Sequence, residues 1–218
     1  MSDLLNTKCV NAGVPNLICK IVDWHYARNL VVGSDNKSQT LKLVQEFGEL
    51  SGNLSSGECI MDDIGDMLVV IINLMERDGI NFQSCFETPG NDTNYVGSNP
   101  NELCRNKKLV SYFEDFLNYH NSLSILKNGA TIHVYLDLSY QIGMLSDAAC
   151  KKGVISDSLG RILRKLVLLA ECYNLTIESC LEQAWSDIRD RKGMMVDGVF
   201  VKEADFAAEP GSNYTNQN

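Results

Sequence analysis

Four carboxylates in the first third of this 218-residue chain are spaced for joint chemistry. Glu46 and Glu49 stand three residues apart, as do Asp63 and Asp66. That spacing puts both members of a pair on one face of a helix. The 13 residues between Glu49 and Asp63 allow two helices to turn back on each other and set the pairs face to face. Four ionised carboxylates in one cleft repel and raise each other's pKa unless a cation neutralises them. Hard oxygen donors of this kind select Mg²⁺, or Mn²⁺ in its place. A solvated helix surface also carries such acids, and spacing alone divides the two readings evenly. Asn73, two turns after Asp66 on the same face, is a polar break in an apolar helix. It either belongs to the cluster or is a buried amide bonded to a neighbouring helix.

Helices must hold these groups in place. Leu17, Ile21, Trp24 and the segment Arg28-Asn29-Leu30 have the period of a first helix. Leu41, Val44, Phe47, Leu50 and Leu54 predict a second, and Ile60, Ile64, Leu68, Ile71, Ile72 and Met75 a third, stopped at Gly79. Near the C-terminus, Met194 to Val201 places Asp197-Gly198 between apolar runs, which predicts a short β-hairpin or extended arm. Residues 1–13 lack periodicity, 88–101 form a Pro/Gly/Asn-rich linker, and 204–218 are expected to be a mobile tail. No Glu is followed three residues later by His, so a di-iron carboxylate bundle is excluded. Walker A, nucleophile-elbow and HExxH patterns are absent as well.

Composition narrows the partners. With 44% hydrophobic and 22% charged residues the chain is globular, and its net charge of -9 disfavours nucleic-acid and anionic-membrane binding. The longest apolar stretch, Met67 to Met75, is far shorter than the roughly 20 residues of a membrane span. No secretory signal opens the sequence, which predicts a soluble cytoplasmic protein. The 8 Cys show no CxxC pairing and read as small buried thiols.

The linker separates two copies of one plan. A shift of 95 positions lays residues 16–87 on 111–182 without a gap. It superposes Leu41, Gly48 and Ser51 on Leu136, Gly143 and Ser146, and Gly65, Leu68 and Cys85 on Gly160, Leu163 and Cys180. His25 falls on His120, and Trp24 on Tyr119. Such a register points to an internal duplication. Glu46, Glu49, Asp63 and Asp66, however, correspond to Gln141, Met144, Ser158 and Arg161. The second copy has lost all four acids and is expected to be inert toward a cation.

The segments KLVQEFGELSGN (42–53) and DDIGDMLVVIINL (62–74) resemble the MazG-like all-α nucleoside triphosphate pyrophosphohydrolases. The hallmark of that family is ExxE, a spacer, then ExxD, on antiparallel helices. Asp63 stands where Glu is commoner, and Asn73 also matches a family position. Residues 24–43 and 184–205 are similar to phage-type, single-copy members. The resemblance implies an all-α, MazG-like helical bundle, here duplicated into a pseudo-dimer with one working and one scaffolding half. It implies Mg²⁺ on Glu46, Glu49, Asp63 and Asp66, with Glu46 or Glu49 as the catalytic base.

The expected units are a catalytic repeat at 1–87, the linker at 88–101, a degenerate repeat at 102–193 and an arm with its tail at 194–218. The implied reaction cleaves an NTP or dNTP to the monophosphate and pyrophosphate. The alternative is a nucleotide- or alarmone-binding module with little turnover. Trp24, His25, Arg28 and Asn29 are candidates for the base and sugar pocket, Trp24 by stacking or else as plain core. The recurrence of His25 as His120 favours a structural part for it. Lys42 either touches phosphate or pairs with Glu46 at i, i+4. Arg189, Arg191 and Lys192 either bind the triphosphate or form a solvated helix end. A further homodimer is compatible with the fused pair, and a phage-encoded protein would act in the host cytoplasm.

Overall fold

The computed structural model describes residues 13–82, 85 and 130–208, and over them the chain is mostly helical. In order, the helices are α1 (Val14–Ala27), α2 (Leu30–Gly33), α3 (Asn36–Ser56), α4 (Met61–Asp78), α5 (Ala130–Lys151), α6 (Ser156–Cys172) and α7 (Ile177–Ile188). Strands β1 (Gly193–Val196) and β2 (Val199–Lys202) follow, then the short helix α8 (Glu203–Ala208). Helix α8 therefore begins where a tail was expected, and the last ten residues lie outside the described set, as do the linker at 88–101 and His120. No helix among the described residues is long and apolar enough to cross a membrane.

Local chemistry sets the boundaries. Asp35 caps α3 by accepting from the Ser38 N–H at 2.7 Å. Gly57 closes α3 and Gly79 closes α4, both in the left-handed conformation that glycine adopts at little cost. The first helix ends earlier than its apolar period suggests. Asn29 turns the chain at φ 57 between α1 and α2, a conformation that Asn tolerates better than most residues. The hairpin forms as expected. Asp197 and Gly198 both have positive φ, as a two-residue type I′ turn requires, and Met195 pairs with Phe200.

The core is built around α4 and α6. Every residue of α4 from Met67 to Glu76 is buried, as is most of α6 from Leu159 to Ala170. Helix α4 packs on α3, α1 and α7 and also meets α6. In α3 the core face comprises Leu43, Glu46 and Leu50, and Leu41 and Val44 turn outward. Those two carry the same period as the core residues, but their face stays exposed.

Two glycines permit the closest helix approaches. A Cβ on Gly65 would lie 2.4 Å from the Cys180 carbonyl oxygen of α7 and 2.9 Å from the Ala184 Cβ. A Cβ on Gly160 would lie 3.3 Å from the Cys85 Sγ. Cys85 and Cys180 are buried thiols, but Cys59 and Cys150 are exposed and Cys19 is disulfide-bonded, so the cysteines are not uniformly core thiols.

Gly65→Ala should destabilise the protein by about 1–3 kcal/mol, because the new methyl group meets backbone rather than a movable side chain. Gly48→Ala, with nothing within 4 Å, should stabilise it by up to about 1 kcal/mol through helix propensity. Urea denaturation of both variants checks the opposite signs.

Candidate functional site

Helices α3 and α4 are joined by a short turn and pack side by side. Their facing register is visible in the electrostatics: Glu46 acts on Asp66, and Glu49 acts on Asp63. One turn further, Asn53 Nδ2 donates to both oxygens of Asp63 at 3.0 Å. Glu46 on Asp66, then Glu49 and Asn53 on Asp63, run in opposite directions along the two helices, the signature of antiparallel packing. The acids do not all point inward alike. Glu46 and Asp63 are buried, Asp66 is half-buried, and Glu49 is exposed, accepting from Gln45 Nε2 at 3.1 Å.

Glu46, Glu49 and Asp63 each have a local partner. Lys42 Nζ forms an ion pair with Glu46 one turn away on α3. Burial, followed by the neighbouring Glu46 and Asp62 charges, pushes Asp66 up to about 7 despite the opposing pull of Arg191 and Lys42. Asp63 is raised by burial and by Glu49 against the hydrogen bond from Asn53. Asp62 is raised as well, by burial and by a hydrogen bond with the Asp187 carboxylate of α7. Among the described residues no group of three or more His, Cys, Asp or Glu side chains is arranged to hold a metal ion.

A cavity of about 260 Å³ opens beside this cluster. Trp24 and His25 of α1, Lys42 and Glu46 of α3, Asp66 of α4, and Arg191 line it, together with Phe200 and Lys202 of the hairpin and Asp205 of α8. The arm therefore packs beside α3 and α4 although α5, α6 and α7 lie between them in the chain. Phe200 meets the Trp24 ring edge-on at 5.6 Å, and Gly198 sits so near Ser38 that a Cβ there would lie 3.3 Å from its Oγ. Arg28 secures the junction. Its guanidinium lies 4.5 Å over the Trp24 ring, and its Nε and Nη2 donate to the Arg191 carbonyl at 3.0 and 2.8 Å.

Other expected site residues stand elsewhere. Glu49, Asp63, Arg28, Asn29 and Asn73 do not line the cavity, nor do Arg189 and Lys192. Asn29 makes the α1–α2 turn, and Asn73 is buried in α4 with neither amide atom bonded. Arg189 pairs with Asp190 at 3.2 Å, and Lys192 is exposed beside Glu203. Arg28 already covers one face of Trp24, which leaves stacking on that face to the guanidinium. The buried Trp24 Nε1 and His25 Nδ1 have no hydrogen-bond partner among the described residues. Burial and the nearby Arg28 charge lower His25 to about 3, so its ring is neutral at ordinary pH.

Sequence reasoning passed over Asp62, Asp187, Phe200, Lys202 and Asp205. Asp62 lies one turn before Asp66 and could have been noticed; the other four reach the site only through the folding of the arm.

No family model and no solved structure matches the chain. Over 71 residues it is 38% identical to an uncharacterized 18.2 kDa protein in the rep-hol intergenic region of Haemophilus phage HP1 (strain HP1c1). The match covers 32% of this chain and 44% of the phage protein, so the chain spans less than half the length of the curated relative it matches.

The upward shift of Asp66 has a measurable sign. The folded protein retains a proton that the unfolded chain releases near pH 3.8, so this group makes stability fall as pH rises from about 4 to about 7. In chelator, Asp66→Asn should remove that decline and melt above the wild type at pH 8 but not at pH 4. Melting curves across this range check it, and parallel pH profiles would rule it out.

Proposed function

We propose that this protein is a Mg²⁺-dependent nucleoside triphosphate pyrophosphohydrolase of the MazG-like all-α kind, releasing pyrophosphate from an NTP or dNTP. The observation that carries this reading is the antiparallel register that sets Glu46 against Asp66 and Glu49 against Asp63, with Glu46 and Asp66 in the wall of a cavity lined by both aromatic and basic groups. The resemblance at 42–74 supplies the reaction, and the similarity to a phage protein fits a phage-type member.

The donor set suits the implied cation in chemistry. Burial, and then the neighbouring Glu46 and Asp62 charges, raise Asp66 even against Arg191 and Lys42, as expected of crowded carboxylates. Glu46, Glu49, Asp63 and Asp66 would hold Mg²⁺ once Lys42 releases Glu46 and Asn53 shares Asp63. Bound there, the ion would neutralise the acids and the phosphate oxygens together. Arg191 and Lys42 add fixed positive charge for the triphosphate. Glu46 or Glu49 takes the proton from the water that attacks the α-phosphorus in line, and the pyrophosphate leaves. Trp24 Nε1 and His25 Nδ1, unsatisfied in the cavity wall, offer hydrogen bonds to the base.

The same reading treats the molecule as a pseudo-dimer. Gly65 of the first copy approaches Cys180 of the second, and Gly160 of the second approaches Cys85 of the first. These residues are equivalent in the 95-residue register, and such reciprocity characterises a two-fold interface. In the second copy Gln141 is buried in place of Glu46, and Asp137 pairs with Lys165 near Arg161. Cationic side chains occupy the ground that an external cation would hold in the first.

The Lys42–Glu46 ion pair gives weight to a second reading, a nucleotide-binding module that rarely turns over. Pyrophosphate release across a panel of NTPs and dNTPs with Mg²⁺ separates the two. The hydrolase reading expects product from the wild type and a loss of about 100-fold or more in Glu49→Gln and Asp66→Asn, with folding retained. Nucleotide-dependent thermal stabilisation without product would favour the binding module. Full activity in both variants would sink the assignment of the acids.

A further inference from the structure

Asn53 ties an acid of the candidate site across the two helices that carry the cluster. From the last turn of α3 its Nδ2 donates to both carboxylate oxygens of Asp63 on α4, each at 3.0 Å. The partners of Glu46 and Glu49 are Lys42 and Gln45, each one turn away on α3 itself. Asn53 is half-buried and Asp63 only 6% exposed, so water competes little for this bond.

The backbone of Asn53 is held as well. Its carbonyl accepts from the Glu58 N–H at 2.9 Å, where Gly57 takes the chain out of α3 in the left-handed conformation. A short side chain on an anchored backbone has little freedom, and an amide set evenly between two oxygens fixes the plane of the carboxylate. Each oxygen keeps a lone pair for a further partner. The chemistry of the donor matters too. Lys42 neutralises Glu46 and must withdraw before a cation takes that carboxylate. The Asn53 amide is uncharged, so it orients Asp63 without cancelling the charge a cation needs. Asp63 also feels the Glu49 charge, and repulsion would turn an untethered carboxylate away from the cluster. In the 95-residue register Asn53 falls on Ala148 and Asp63 on Ser158, so the donor is missing where the acid is missing. Leu50 and Ser51, just before it, recur as Leu145 and Ser146.

We propose that Asn53 is a positioning residue of the cation site, holding Asp63 in the orientation that binds the metal. It does not line the cavity and acts only through Asp63. The inference rests on the reading of Glu46, Glu49, Asp63 and Asp66 as cation ligands.

Direct Mn²⁺ binding to the full chain, followed by the electron paramagnetic resonance signal of free Mn²⁺, tests it without turnover. The wild type is expected to bind Mn²⁺, and Glu49→Gln to bind it more weakly. Asn53→Ala and Asn53→Leu should each weaken binding about 10- to 100-fold, with unchanged helical circular dichroism. Leu keeps the bulk of Asn and removes the donor, so that variant decides the matter if the alanine variant folds poorly. Wild-type affinity in the folded variants, even with a lower melting temperature in chelator, makes Asn53 merely structural and overturns the inference while the cation site stands. A wild type that binds no Mn²⁺ overturns the cation site itself, and the inference with it. In pyrophosphate release, both variants should need about 10-fold or more Mg²⁺ for half-maximal rate and recover at saturating Mg²⁺. A loss that saturating Mg²⁺ does not restore overturns the positioning role.

Discussion

Helix α4 is enclosed along almost its whole length, and that confinement governs the rest of the site. From Asp63 to Glu76 only Asp66 escapes full burial. The apolar faces are taken by α1, α6 and α7, with Gly65 drawn against the α7 backbone. The carboxylates of its first turns face α3, the arm and the last turn of α7. Carboxylates held so close to other carboxylates and so far from water are pushed toward protonation. The elevated Asp66 and Asp63, and the hydrogen-bonded Asp62–Asp187 pair, all follow from where α4 must lie.

The arm answers part of that electrostatic problem. Arg191 reaches Asp62 and Asp66 from the far end of the chain, and Arg28 holds the backbone of that same residue while it covers Trp24. Phe200 then closes on Trp24. Aromatic contact, cation–π contact and hydrogen bond are each modest. Together they fix one basic side chain over an acidic cluster, and they make the cavity a composite of elements from both ends of the chain.

The two stretches that the 95-residue register lays on each other carry opposite charge arrangements. In the first, Lys42 on α3 stands among acids. In the second the position equivalent to Lys42 is Asp137, which pairs with Lys165 on the facing helix and also feels Arg161. The second half is neutralised from within, whereas the first carries surplus acid. Residues 16–87 hold 11 acidic and 5 basic side chains, against 8 and 6 in residues 111–182.

The sequence by itself determined the helical elements, the stop at Gly79, the hairpin turn at Asp197-Gly198 and the pairing of the acids by face. These depend on neighbours within a turn or two, where period and backbone preference act directly. It also marked Trp24, His25, Lys42 and Arg191, four residues that do line one cavity. It counted Leu41 and Val44 in the apolar period of the second helix, and periodicity cannot tell a covered face from an exposed one. Arg28, Asn29, Asn73, Arg189 and Lys192 carried the right chemistry, but their side chains are spent on turns, packing or exposed ends. Only the tertiary structure decided that the arm returns to α3 and α4, and that Asp187, Phe200, Lys202 and Asp205 join the site. Contacts across more than a hundred residues leave no local period, so the packing of α7 on α4 had to settle them.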